Sequence, residues 1–225
     1  MKKYNFIFDF DGTIANSYDL VFNLYNSLAP RFYMPTLDEQ YREPLKNAHY
    51  KTVLRLLGHH AIKLPKLVHA LKNELAQHIH LLKPHDGIPD TLATLHQQAH
   101  TLYILSANRQ STIQQFIQQH GLNYFDAIIE VPTLSGKAGA IKRTLKRHTL
   151  FPTQTFYIGD EVRDIDAANA AGINAIAVTW GYNSKACLQR QHPAFMINSP
   201  ARIAHTPSNT PSRINKKSIN NNLIR

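Results

Sequence analysis

The chain has little cysteine. Cys187 is the only cysteine among its 225 residues, so no internal disulfide can form. A small framework held together by disulfides is therefore excluded, and we expect a reducing compartment such as the cytoplasm. Long hydrophobic runs are also missing, since no stretch approaches the roughly 18 apolar residues of a membrane-spanning helix. The N-terminus carries Lys2 and Lys3 but no long apolar segment, so we expect no signal peptide.

Acidic residues are missing from the C-terminal part of the chain, because no Asp or Glu follows Asp166. The basic residues there contribute to a formal net charge of +10. A basic surface can attract nucleic acid or steer small anions. These basic residues are not interleaved with aromatic ones, as they are in single-strand binders, which argues against nucleic acid as a partner. Residues 206–225 have little to bury, and we expect a disordered basic tail.

Hydrophobic residues make up 43% of the chain, which is enough for a substantial core. Apolar runs bounded by turn residues predict strands at 4–9, 101–106, 126–131, 155–159 and 174–179. Several runs are continuous rather than alternating, which is typical of strands buried on both faces of a parallel sheet. Helical patterns between the later strands cover residues 89–99, 110–120, 137–147 and 162–171. This alternation predicts an α/β fold with a Rossmann-like parallel sheet.

One segment interrupts the alternation. Residues 15–83 contain helical patterns but no convincing strand, and they are too long for an ordinary loop. We therefore expect a small helical cap domain inserted after the first strand. The α/β core would then comprise residues 1–14 and 84–205, and the cap could close over a site at the strand ends. Helices that simply pack on the sheet are the alternative.

Two carboxylates follow the first apolar run. Residues i and i+2 of a strand point the same way, so we expect Asp9 and Asp11 to share one face. Gly12 then allows the chain to turn sharply away from the strand. Two buried acids are unfavourable without a cation, a proton or a substrate beside them. The pair is typical of a nucleophile and a general acid that work with a bound Mg²⁺.

Two further positions could bind an anion. Ser106 and Ala107 come at the end of a predicted strand, where a hydroxyl and free backbone N–H groups can hold phosphate oxygens. Lys137 begins a predicted helix, where the helix dipole disfavours a cation, so a nearby anion is indicated. Taken alone, each residue is more often a turn former or a solvated surface residue.

A second acidic group follows the strand predicted at 155–159. Asp160, Glu161, Asp164 and Asp166 lie within this short segment, and hard oxygen ligands of this kind suit Mg²⁺. Capping of the next helix would explain Asp164 and Asp166. Capping does not explain Asp160, which directly follows a buried strand.

Taken in this order, the four groups resemble the haloacid dehalogenase superfamily, and within it the phosphoglycolate phosphatase-like group. The matching motifs are Asp9–Thr13, Ser106, Lys137 and Gly159–Asp164. The resemblance covers residues 1 to about 200, and the predicted helical insert lies where members with a small helical cap place theirs. It implies a Mg²⁺-dependent phosphatase that hydrolyses a small phosphorylated metabolite.

The resemblance also implies a role for each residue in the chemistry. Asp9 would attack phosphorus and form an aspartyl-phosphate, while Asp11 would protonate the leaving alkoxide and then deprotonate the attacking water. Ser106, Ala107 and Lys137 would bind the oxygens of the transferring phosphoryl group.

The resemblance likewise implies a metal site. Mg²⁺ would be held by the Asp9 carboxylate, the main-chain oxygen of Asp11, and Asp160. Asp164 and Glu161 would support the metal or the phosphate-binding lysine, with the division of work between them left open. The acid at position 11 favours phosphate-ester hydrolysis or phosphoryl transfer over dehalogenation, because dehalogenases of the family lack it.

Two other functions remain open. A phosphomutase acting on a sugar phosphate would keep the same residues and shield the aspartyl-phosphate from water. A nucleic-acid-binding protein would retain them only as a vestigial site. The substrate and the oligomeric state are not predicted, although the cap offers basic candidates for an anionic substrate: Arg31, Arg42, Lys46, Lys51 and Arg55.

Overall fold

The computed structural model describes residues 2–57, 62–131 and 136–209, and it contains one parallel sheet with the strand order β3-β2-β1-β4-β5-β6. Its strands are β1 (Asn5–Phe8), β2 (Thr101–Ser106), β3 (Ala127–Glu130), β4 (Thr155–Gly159), β5 (Asn174–Val178) and β6 (Phe195–Ile197). The predicted α/β fold with a parallel sheet is confirmed. The short edge strand β6 was not predicted.

Helices occupy most of the remaining described chain. They are α1 (Tyr18–Leu28), α2 (Arg42–Lys46), α3 (Tyr50–Leu57), α4 (Leu64–His78), α5 (Ile88–Gln97), α6 (Gln110–Gln119), α7 (Lys137–Arg147), α8 (Val162–Ala171) and α9 (Lys185–Gln189). Short 3₁₀ helices cover Ala29–Phe32, Glu39–Tyr41, Ile79–Leu81, Pro152–Gln154 and Pro200–Asn209. Helices α7 and α8 have the bounds that the sequence predicted.

The two faces of the sheet carry separate apolar cores. Successive side chains of a strand point to opposite faces. Phe6 and Phe8 therefore pack with residues of α5 and α6 on one face, and Ile7 packs with residues of α7 and α8 on the other. All three side chains are fully buried. Burial on both faces explains why the strand sequences are continuous apolar runs.

Helices α1 to α4 form the predicted helical insert between β1 and β2. The insert has a small apolar cluster of its own, made by Leu28, Ala29, Met34 and Leu67. Other apolar side chains of α1 and α4 join the core that covers the Phe6 face of the sheet. The division of the chain into an α/β core and a separate cap stays a prediction.

The chain enters and leaves the insert at neighbouring points. Ala15 forms an isolated bridge with Pro84, and the Asn16 N–H donates to the Lys83 carbonyl at 2.9 Å. These contacts join the two connections that link the insert to the sheet. The insert is therefore attached directly beside the carboxyl end of β1.

The C-terminal end of the described chain is a 3₁₀ helix. Residues 206–209 belong to it, although the sequence predicted that a disordered tail begins at Thr206. Thr206 is buried, and its hydroxyl donates to the Arg202 carbonyl at 2.8 Å, which anchors this turn. The rest of the predicted tail, residues 210–225, lies outside the described residues. None of the described helices has the length and hydropathy needed to cross a bilayer.

Candidate active site

Several of the predicted site residues meet at the carboxyl edge of the sheet. Strands β2, β1 and β4 are adjacent and parallel, so their carboxyl ends lie side by side. Asp9 directly follows β1, Ser106 ends β2, and Asp160 directly follows β4. All three side chains are buried. In open α/β sheets this edge is the usual place for a ligand.

Lys137 bridges two buried carboxylates. Its Nζ donates to Asp9 Oδ2 at 3.0 Å and to Asp164 Oδ1 at 2.6 Å. Burial raises the pKa of Asp9 to about 7, although Lys137 opposes this rise, and the charge of Asp164 adds to it. Burial alone would lower the pKa of Lys137, but Asp164 and Asp9 hold that pKa well above its usual value. The lysine is therefore a fixed positive charge between the two acids.

The start of α7 positions this lysine. Gly136 precedes the helix with φ of +99°, a backbone conformation that favours glycine. Lys137 is the first residue of the helix, and its Nζ lies 5.4 Å from the centre of the Tyr157 ring. The Tyr157 hydroxyl donates to the Leu105 carbonyl at 3.1 Å, which fixes the ring beside the ammonium group. The unfavourable helix position is thus offset by specific contacts.

Asp160 is held by hydrogen bonds to both carboxylate oxygens. The Thr13 hydroxyl donates to Oδ1 at 2.6 Å, and the Tyr182 N–H donates to Oδ2 at 2.7 Å. Burial, followed by the charge of Glu161, raises its pKa well above the usual value. Room for this carboxylate depends on Gly12, where a Cβ would lie 2.3 Å from Asp160 Oδ2.

Asp164 and Glu161 begin α8. The two residues form a capping box, in which the Glu161 N–H donates to Asp164 Oδ2 at 3.0 Å. Glu161 also forms an ion pair with Arg163. Asp164 thus caps its helix and binds Lys137 at the same time, so the capping explanation and a supporting role in the site are compatible for this residue.

One compact acidic group within the described residues could hold a metal ion. Its members are Asp9, Asp160 and Asp164, whose ligand atoms lie within 4.8 Å of one another. Lys137 binds both Asp9 and Asp164, but Asp164 also caps α8, which leaves Asp9 and Asp160 as the better ligands. The raised pKa values of these two carboxyls come first from burial. A hard cation would relieve that penalty, so this set of donors fits a divalent ion that binds oxygen.

Asp11 lies outside this acidic group. Its Oδ2 accepts a hydrogen bond from the Asn108 side-chain amide at 3.3 Å, and its buried Oδ1 has no hydrogen-bond partner among the described residues. Burial raises the pKa of Asp11, while hydrogen bonds from Ser17 and Asn108 oppose the rise. A carboxyl group with a raised pKa holds its proton to a higher pH than an ordinary carboxyl does, so it can act as an acid. Strand β1 ends at Phe8, so strand alternation does not set the directions of Asp9 and Asp11 as we had expected.

Ser106 and Ala107 lie on the β2 side of the site. The Ser106 hydroxyl accepts a hydrogen bond from the Asn108 N–H at 3.1 Å. Ala107 lines a cavity together with Lys137 and Glu161. The cavity therefore adjoins the residues that were predicted to bind phosphate.

This cavity has a volume of about 690 Å³. The sheet and its helices contribute one wall, and the helical insert contributes the other. None of the basic insert residues singled out in the sequence is among its described lining residues. The insert wall comprises Tyr18, Val21, Phe22, Tyr25, Pro35, Leu37, Leu45, Ala48, Tyr50, Val53, Leu64 and Leu71.

Sequence reasoning missed three residues that support the site. Asn108 contacts Asp11, while Tyr182 and Asn183 contact Asp160 through their backbone N–H groups. A usable signal was present, because Tyr182 and Asn183 follow the fifth strand after Gly181. The carboxyl end of that strand could have been searched like the others.

Comparisons with known proteins find a matching family, similar sequences and a similar fold. The family described as haloacid dehalogenase-like hydrolase matches residues 6–178. A phosphoglycolate phosphatase from Synechococcus elongatus is 31% identical over 198 residues, which cover 88% of this chain and 93% of the relative. Another, from Aliivibrio fischeri, is 30% identical over 78% of this chain and 84% of the relative. A haloacid dehalogenase-like family hydrolase structure from Streptococcus pneumoniae has a TM-score of 0.74 at 24% identity, covering 91% of this chain and 98% of that one.

Proposed function

The chain belongs to the haloacid dehalogenase-like hydrolases, and on this premise we propose that it is a Mg²⁺-dependent phosphatase acting on a small phosphorylated metabolite. The observation that carries the proposal is the contact of Lys137 with Asp9 and Asp164 beside Asp160. A buried carboxylate, a fixed cation and a further acidic group lie together at the carboxyl edge of the sheet. Such a set supports the proposal, because phosphoryl transfer to a carboxylate uses a nucleophile and fixed positive charge around the phosphoryl oxygens.

In the first step, a carboxylate oxygen of Asp9 attacks phosphorus, and the bond from phosphorus to the alcohol oxygen breaks. Asp11 gives its proton to the departing oxygen. The raised pKa of Asp11 supports this acid role, because the group holds its proton to a higher pH than an ordinary carboxyl. The products of this step are the free alcohol and an aspartyl-phosphate on Asp9.

In the second step, water attacks phosphorus and the aspartyl-phosphate bond breaks. Asp11, now ionised, takes the proton from this water, which restores the enzyme and releases inorganic phosphate. Lys137, the Ser106 hydroxyl and the Ala107 N–H would bind the phosphoryl oxygens through both steps. Preformed donors of this kind stabilise the charge that develops in the transition state.

Mg²⁺ would be held by the Asp9 carboxylate, by Asp160 and by the main-chain oxygen of Asp11. When bound, it would reduce the repulsion between the anionic nucleophile and the phosphate. We further propose that residues 15–83 act as a cap that covers the site and restricts access of water. Glu161 and Asp164 would keep the start of α8, and with it Lys137, in place.

The test is phosphate release from a panel of phosphate esters in the presence of Mg²⁺, with Asp9→Asn assayed in parallel. Phosphoglycolate belongs in the panel because curated relatives are phosphoglycolate phosphatases. We expect the wild type to release phosphate and Asp9→Asn to lose essentially all activity. Equal rates for the two proteins would refute the proposal. Isomerisation of a sugar phosphate without net phosphate release would favour the phosphomutase alternative.

A further inference from the structure

We propose that the cavity between the sheet and the helical insert binds the alcohol part of the substrate, and that this part is apolar and larger than glycolate. The inference rests on the proposed phosphatase function. It concerns the part of the substrate that extends away from the phosphate. The catalytic residues do not contact this part.

The first argument is the position and size of the cavity. Lys137 and Ala107 belong to its lining, so a phosphate bound by these residues would lie at the cavity wall. Its volume of about 690 Å³ falls within the roughly 300–1,000 Å³ that is typical of pockets for small organic ligands. A two-carbon acid would leave most of this space filled with water.

The second argument is the chemistry of the insert wall. Its described lining residues come mainly from α1, α3 and α4 and from the loops between them, and none carries a charge. Phe22 and Val53 are typical members. Removing apolar surface from water is favourable in proportion to its area, so such a wall favours an apolar ligand.

Three of the four tyrosines in the described lining strengthen this argument. The Tyr18 hydroxyl donates to the Arg42 carbonyl at 3.1 Å, and the Tyr25 hydroxyl donates to the Pro35 carbonyl at 2.8 Å. The Tyr182 hydroxyl lies 2.9 Å from the Ser17 hydroxyl. Because these hydroxyls already have partners in the protein, their side chains offer mainly ring surface to a ligand.

The third argument is the placement of the nearby basic residues. Arg42 pairs with Asp19 and Glu39 and lies over the Phe22 ring, 4.2 Å from its centre. Lys46 pairs with Glu43 at 3.1 Å. These cations are therefore paired within the insert and do not line the cavity. They are not in a position to bind a substrate carboxylate there.

The charged residues of the opposite wall are also paired. Arg163 forms an ion pair with Glu161, and Asp166 lies 4.0 Å from a ring nitrogen of His49. Lys137 is held by Asp9 and Asp164. The described lining thus offers charge to the phosphate end of a substrate and apolar surface to the remainder.

The experiment compares ethyl, hexyl and 2-phenylethyl phosphate with phosphoglycolate. All are esters of primary alcohols, so differences in kcat/KM report mainly on binding of the alcohol part. Burying one methylene group is worth roughly a threefold to fourfold gain. We therefore expect kcat/KM for hexyl and 2-phenylethyl phosphate to exceed that for ethyl phosphate at least tenfold, and to exceed that for phosphoglycolate.

A pair of variants tests whether the insert wall is responsible. Val53→Lys places a charge in the wall, and we expect it to lower the ratio of kcat/KM for hexyl over ethyl phosphate at least tenfold. Thr52→Lys adds the same charge at the neighbouring position of α3, outside the described lining, and should leave that ratio unchanged. Equal effects of the two variants would overturn the inference. Circular dichroism and melting temperatures would verify that both proteins are folded.

The outcomes separate this inference from the proposed function. Phosphate release with no preference for the larger apolar esters, or with phosphoglycolate preferred, would overturn the inference and leave the phosphatase intact. If no ester released phosphate, the proposed function would fail. Calorimetry would then test the inference through binding. Hexyl phosphate should bind more tightly than ethyl phosphate, and equal or weaker binding would overturn the inference.

Discussion

Lys137 lies at the start of a helix although the helix dipole disfavours a cation there. Its contacts with Asp9 and Asp164 explain why the position is occupied by lysine. Removing one member of a buried ion pair leaves an uncompensated charge, so the three residues depend on one another. The same contacts fix the ammonium group where the oxygens of a transferring phosphoryl group would be bound.

The role of Lys137 predicts the effect of removing its charge. Lys137→Met should lower kcat for phosphate release by about 10²–10³-fold, the usual effect of losing one donor to a transition-state oxygen. Phosphate release under saturating substrate measures this effect. Lys142→Met is the matched control, because Lys142 is exposed on the same helix, and it should keep full activity. A similar loss in both variants would contradict the assigned role.

Two glycines with similar backbone conformations should respond differently to alanine. Gly12 has φ of +76°, and Gly121 has φ of +66°. A Cβ at Gly12 would overlap Asp160 Oδ2, whereas a Cβ at Gly121 would meet nothing within 4 Å. Gly121→Ala should therefore lower the free energy of unfolding by only about 1–2 kcal/mol, the strain of a left-handed residue.

Gly12→Ala should cause the same backbone strain and should in addition displace the Asp160 side chain. We expect a larger fall in the free energy of unfolding, measured by urea denaturation, and a weakened affinity for Mg²⁺. If Gly12→Ala and Gly121→Ala lost equal stability and bound Mg²⁺ equally well, the close packing of Gly12 on Asp160 would be incorrect.

At the scale of elements, the sequence predicted best where a local signal marked an end of the element. Helix α7 follows Gly136 and α8 ends at Gly172, and both were predicted with their observed bounds. Edge strand β6 was missed, because its three residues pack on the sheet only through tertiary contacts. The motif residues of the site could also be chosen from the sequence, because each of them follows a strand or starts a helix.

The contacts of those residues could not be predicted in the same way. Lys137 and Asp164 are separated by 27 positions, and Asn108 and Asp11 by 97. Such pairs depend on the strand order of the sheet, which local patterns do not determine. The apolar wall of the cavity likewise depends on how the insert packs over the sheet.

Asn183 connects three elements and supports a further prediction. Its side-chain carbonyl accepts from the Val162 N–H at 2.9 Å, and its amide donates to the Lys46 carbonyl at 3.1 Å. It thus joins α8, the end of α2 and the loop after β5. Asn183→Ala would leave the Val162 N–H buried without a partner and should lower the free energy of unfolding by about 1–3 kcal/mol.

Hydrogen exchange would locate the effect of this substitution. The backbone around residues 42–50 should exchange faster in Asn183→Ala, because a contact between the insert and the residues around the sheet is lost. Asn123→Ala changes an exposed asparagine and should leave exchange of that segment unchanged. Unaltered exchange in Asn183→Ala would indicate that other contacts hold the insert in place.

At the scale of the whole molecule, the acidic residues of the candidate active site lower the stability of the fold while they supply the groups for the proposed chemistry. Asp9 and Asp160 are buried at the carboxyl edge of the sheet and Asp11 is half-buried beside them, and burial raises the pKa of each. The chain thus keeps three carboxyl groups in surroundings that disfavour their charged form. A bound cation compensates for this penalty, so stability, pH and metal binding should be coupled.

This coupling has a definite sign. In the folded protein the pKa of Asp9 is about 7, against 3.8 for an ordinary aspartate such as one in the unfolded chain. Between these pH values the folded state binds more protons than the unfolded state, so the free energy of unfolding falls as the pH rises. The stabilisation by this protonated carboxyl is present below about pH 4 and is lost as the pH passes through 7. Raised pKa values at Asp11 and Asp160 act in the same direction.

Mg²⁺ should reverse this loss, because it binds the ionised carboxylates and not the protonated ones. We expect a larger increase in Tm on addition of Mg²⁺ at pH 8 than at pH 5, measured by calorimetry with and without a chelator. Asp9→Asn removes one titrating ligand, so both the fall in stability with pH and the gain from Mg²⁺ should be smaller in that variant. Equal Mg²⁺-dependent gains at both pH values would show that the buried aspartates do not form the metal site.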